Sequence, residues 1–149
     1  MKIIHRIAGL LATGTIATFL TATLVAWLSG SHTTIALIAH RIVVPGLFIL
    51  IPALATTGGS GFWLSQSRTG RLVSVKIRRM RLIALNGVLI LVPTALFLNH
   101  LTHTGSFSTL FMIIQVGEWL AGIVNMTLMG LNIRDGLRMQ GRLPRMRTD

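Results

Sequence analysis

Residues 35–54 read IALIAHRIVVPGLFILIPAL. Twenty residues make a helix about 30 Å long, enough to cross the hydrocarbon of a bilayer. Inside this stretch stand His40 and Arg41. An ionisable pair is costly in hydrocarbon and therefore marks a candidate functional site. Pro45 and Pro52 are seven residues apart, on one helix face, and predict a bend that frees backbone carbonyls for neighbours to satisfy.

Three further apolar runs flank this one, at 7–28, 82–98 and 107–131. The expected fold is all-α, an integral membrane four-helix bundle forming a single domain. A basic loop at 55–81 and a basic tail at 132–149 complete it. The composition agrees: 52% of the 149 residues are hydrophobic and 11% charged, against about 25% charged in soluble domains. There is no cysteine, which excludes disulfides, thiolate metal sites and cysteine nucleophiles.

The net charge of +11 is a matter of placement. Of 14 Lys and Arg residues, all but Arg41 fall at the N-terminus, between Arg68 and Arg81, or beyond Arg134. The connections near 29–34 and 99–106 carry no charge. Positive residues collect on the cytoplasmic side, so both termini are expected in the cytoplasm. The basic excess then serves topology and attraction to anionic lipid, not nucleic acid.

The first run exceeds the 7–15 residues of a signal-peptide core and is read as a retained helix. Its row of Gly14, Thr18, Ala22 and Ala26 has the spacing that lets helix backbones approach. After residue 54 the composition changes to TTGGSGFW, read as a Gly-rich break, with Trp63 as an interfacial anchor and Trp27 as its counterpart at the other side. The basic stretch 71–81 is read as a helical extension of the third span. In the fourth run Gln115, Glu118, Gly122, Asn125 and Asn132 share one helix face, a polar stripe that should look into the bundle.

Counting at 1.5 Å per residue puts His40 and Arg41 roughly 9–10 Å below the outer hydrocarbon surface and Glu118 about 16 Å below it. Glu118 is the only acidic residue in any of the four runs, so an Arg41–Glu118 ion pair is expected, with Gln115 and Asn125 as its buried polar neighbours. His100 falls within one or two turns of the depth of His40. His40 and His100 are therefore candidates to hold haem b from opposite faces, with Arg41 beside a propionate, or to serve a quinone. A metal alternative joins His40, His100 and His103, with His32 and Met112 nearby, a set of imidazoles and a thioether suited to copper. A third reading is a non-enzymatic structural, assembly or transport-associated subunit, in which the ion pair only holds the helices together. Its partners would be the bilayer, other membrane subunits or a second copy. No HExxH, GxSxG, P-loop or paired carboxylates point to hydrolysis.

His5-Arg6, the HRIVVPG stretch at 40–46, a Thr-Gly break followed by Trp63, and the Arg-rich tail resemble a group of small bacterial predicted integral membrane proteins of unknown function. These are themselves distantly similar to the membrane domain of the copper-resistance D proteins. The resemblance implies a four-helix inner-membrane bundle with a redox or metal connection and assigns no catalytic residue. The layout also resembles four-helix membrane b-type cytochromes, although a second pair of ligand histidines is missing.

Overall fold

The computed structural model describes residues 2–66 and 70–138, with nothing said of the side chains of Lys2 and Ser65. The last part of the expected basic tail, and Arg68 with it, lies outside the described residues. The described chain is helical from end to end, apart from short turns. Helix α1 covers Lys2–Leu28, α2 His32–Arg41, α3 Phe48–Gln66, α4 Arg71–Asn86, α5 Val92–His103 and α6 Thr109–Arg138. Wider π turns at Ile42–Leu47 and Gly87–Leu91 join α2 to α3 and α4 to α5. The result is four long rods, each long and apolar enough to cross a membrane.

Five threonines in α1 turn their hydroxyls back onto the helix. Thr13, Thr15, Thr18, Thr21 and Thr23 donate to the carbonyls four residues earlier, at 2.7–3.0 Å. Polar side chains satisfied in this way sit in an apolar helix without needing water. The helix stops at Gly30, whose φ of +66° is a left-handed conformation that glycine adopts without strain. Ser31 then caps α2 by accepting the Thr34 N–H at 3.3 Å.

The second rod bends at Val44, whose φ of −131° and ψ of 111° are extended. The ring of Pro45 disfavours the helical region for the residue before it. Pro52 is accommodated within α3. The expected break at TTGGSGFW does not occur: α3 continues as helix to Gln66, through Gly58, Gly59 and Gly61. Tertiary packing overrides the low helix propensity of glycine, because α1 and α4 both press on this segment. The third rod takes in the stretch 71–81, read above as a helical extension of the third span. It begins at Arg71 and runs to His103, so much of the basic loop expected at 55–81 is helix.

Helix α1 lies along α3, α2 along α5, and α4 along α6. Ala12, Ile16, Leu47, Leu50, Ala53, Ile83 and Met129 form one buried cluster, and Ala26, Ile35, Leu98 and Phe111 a second, nearer the turns at 29–31 and 104–108. The close approach of α1 to α3 uses Ala8 and Ala12, not the row begun by Gly14. Gly14 and Thr18 are exposed, and of that row only Ala26 is buried. Both faces of α1 are apolar and rich in small residues, so spacing alone does not choose between them.

Candidate functional site

The end of the bundle holding the turns at 29–31 and 104–108 collects four of the five histidines. Helices α2 and α5 run side by side there, and the His40 and His103 rings meet edge to face, centroids 5.8 Å apart and planes at 87°. Both residues are exposed, as is Arg41, which follows His40 on α2. The expected His40–His100 pair is thus replaced by His40–His103. Helix α5 continues through His103 before Thr104 and Gly105 turn the chain, which brings His103 to the level of His40. His100, one turn earlier on the same helix, is exposed. His32 is used otherwise: it stacks on Phe107 at 4.0 Å, nearly parallel.

The Arg41–Glu118 ion pair is not formed. No ion pair of Arg41 occurs among the described residues, and the Glu118 carboxylate accepts from Gln115 Nε2 at 2.7 Å. The reason is rotational. Ile35, Ile38, Ala39 and Ile42 form the face of α2 that borders a small interior cavity together with Gln115 and Glu118. At 100° per residue, His40 and Arg41 point away from that face. The depth expected for Arg41 leaves Glu118 within the reach of an arginine side chain, but Arg41 leaves its helix on the wrong side. The cavity, also lined by Thr23, has a volume of ≈ 10 Å³, the size of a single water site.

The polar stripe of α6 does look inward. Gln115, Asn125 and Asn132 are buried, Asn125 completely. Asn86 Nδ2 donates to Asn125 Oδ1 and to the Ala121 carbonyl, each at 2.8 Å, which ties α4 to α6 midway along the bundle. Trp119 Nε1 donates to Thr23 Oγ1 at 2.9 Å and its ring meets Trp27 edge to face.

Two polar clusters at the opposite, arginine-rich end were not foreseen from sequence. Asp135, 2% exposed, accepts from Arg79 Nη1 at 2.6 Å and from Arg134 Nε at 3.2 Å. Its signal was available, since Asp135 extends the Gln115–Asn132 face by three residues. His5 Nδ1 lies 3.1 Å from both the Thr57 carbonyl and Ser60 Oγ. The Ser60 hydroxyl donates to Thr56, so His5 Nδ1 carries a proton and donates. No pattern of spacing announces that contact.

As holders of a ligand, His40 and His103 are the pair brought together; no group of three or more His, Cys, Asp or Glu suited to a metal ion occurs among the described residues. Met112 is exposed on α6. Comparison with models of protein families, with curated proteins and with solved structures finds no match for this chain.

Proposed function

We propose that the chain is a redox-associated subunit of a bacterial inner membrane, with both termini cytoplasmic, that binds the head group of a lipid-soluble quinone at His40 and His103. The observation that carries this reading is the meeting of those two rings on an exposed flank of the bundle, with Arg41, also exposed, the next residue of the chain after His40. Imidazole N–H groups and a guanidinium donate hydrogen bonds, and quinone carbonyl oxygens accept them. A ligand dissolved in the bilayer reaches such a flank without entering the bundle. The alternation of basic and uncharged connections supports this orientation, with the histidines toward the outer leaflet.

A second reading is supported by the ring spacing. Two imidazoles bound at about 2.0–2.1 Å per nitrogen have centroids roughly 5 Å apart at a tetrahedral ion and a little over ~6 Å apart on opposite sides of one, limits that enclose the observed 5.8 Å. The pair would then hold a single copper ion or the iron of haem b. The latter would lie against the outside of the bundle, because the interior cavity nearby has the volume of one water. An exposed cation one residue from His40 favours the quinone over a bound cation.

One preparation tests both. Decyl-quinone titrated into nanodiscs quenches tryptophan emission saturably in the wild type, and His40→Ala and His103→Ala abolish saturation. Quenching that is linear and equal in all three proteins reports partition alone and overturns the quinone reading. A Soret band, or copper in metal analysis, that disappears in the same variants would favour the shared ion.

A further inference from the structure

On α4, Arg71, Ser74, Arg78 and Arg81 fall within one arc of the helix, and Leu82 and Leu85 continue that arc. All six are exposed. Leu82 is 48%, Leu85 55% and Leu89, in the following π turn, 67% accessible. A row of cations therefore passes without interruption into an apolar ridge on the same rod.

These cations are not compensated. The chain has three acidic residues, and Asp135 is engaged by Arg79 and Arg134 on the inward side of α4. Arg78 and Arg81 have no carboxylate within 4.0 Å among the described residues. The two neighbours Arg78 and Arg79 thus serve opposite faces, one turned out and one spent on an internal ion pair.

We infer that this face of α4 is a binding site for an anionic phospholipid, its phosphate held by Arg78 and Arg81 and an acyl chain lying along Leu82, Leu85 and Leu89. Arginine presents a planar fork of donors that matches phosphate oxygens. Leu82 lies one helical turn, about 6 Å, beyond Arg78, the order in which a lipid offers phosphate and then hydrocarbon. The charge decides between lipids: a zwitterionic head group brings its own cation toward the row, and an anionic one does not. The inference rests on the membrane placement of the rods and is independent of what His40 and His103 bind.

Native mass spectrometry of the full chain, taken from vesicles of equimolar phosphatidylcholine and phosphatidylglycerol, measures the retained lipid. Wild-type protein retains phosphatidylglycerol preferentially. Arg78→Gln and Arg81→Gln each lower that preference by roughly fivefold, the effect of removing one basic residue at an anionic surface. Arg138→Gln, an equal loss of charge elsewhere, leaves it unchanged, and a retained far-ultraviolet helical spectrum certifies folding in each variant. Equal retention of the two lipids by the wild type, or an equal fall in Arg138→Gln, overturns the site in favour of diffuse charge. The quinone titration is read on separate protein, so either result stands without the other.

Discussion

Asn86 on α4 and Asn125 on α6 share a hydrogen bond of 2.8 Å, and the same Asn86 amide donates to the Ala121 carbonyl. Asn125 has no exposed surface. An apolar bundle gives helices little reason to prefer one register over another, because every face is similarly hydrophobic. A buried amide pair does, since any slip leaves donors and acceptors unmet.

Truncating either amide is therefore expected to cost stability. Interhelical hydrogen bonds in apolar surroundings are worth about 0.6 kcal/mol on average and up to about 1.7. Asn125→Ala should fall near the upper figure, because it removes both the acceptor of one Asn86 N–H and the Asn125 amide's own donation to the Ile83 carbonyl at 3.5 Å. Unfolding in mixed micelles, monitored by helicity, gives the number. A double-mutant cycle with Asn86→Ala should return a coupling of the same size.

Arg41 and Glu118 should prove uncoupled. The double variant Arg41→Leu with Glu118→Leu is expected to change stability by the sum of its singles, within about 0.5 kcal/mol. Gln115→Leu and Glu118→Leu, which remove two ends of one 2.7 Å hydrogen bond, should depart from additivity by more than that. Coupling in the first pair and none in the second would contradict the rotational placement of α2.

Asp135→Asn removes the negative charge and one of the two oxygens that accept from Arg79 and Arg134. Hydrogen bonds to charged groups contribute about 1.5–3 kcal/mol, and the lower part of that range is expected because both arginines retain some access to solvent. Thermal unfolding in detergent measures it. Arg79→Gln should account for more of the loss than Arg134→Gln, whose contact is longer and whose side chain is 42% exposed.

Gly46→Ala meets a wall. A Cβ there would lie 2.5 Å from Phe19 Cζ and 3.0 Å from the Arg41 carbonyl oxygen. Overpacking of this kind costs about 1–3 kcal/mol. Phe19→Leu in the same chain should recover part of it by shortening the opposing ring, read as a partial return of the melting temperature. No recovery would assign the cost to the backbone contact instead.

How much of this was legible depends on the element. Run length and the clustering of arginines anticipate four rods, and the three- and four-residue steps from Gln115 to Asn132 identify the inward face of α6, because polar groups are rare enough there to mark a direction. Nothing comparable marks α2. Ile35, Ala39 and Ile42 face inward and Leu37 and Val44 outward, yet both sets are apolar, so depth could be counted while rotation could not. The same ambiguity hid the true packing face of α1. From sequence, His103 joins His40 only in the three-histidine metal set and not in the facing pair, because HTGS reads as loop from its first residue, whereas the helix persists through it.

The three tryptophans are unevenly placed. Trp27 and Trp119 meet edge to face at 5.8 Å near the histidines, and Trp119 shares its N–H with Thr23. Trp63 stands apart and exposed near the far end of α3. The intrinsic emission of the chain is thus already sorted by position. With Trp63→Phe, every remaining photon originates from a single indole pair beside Thr23, so a spectral shift on adding a ligand, a lipid or a partner reports from one known place.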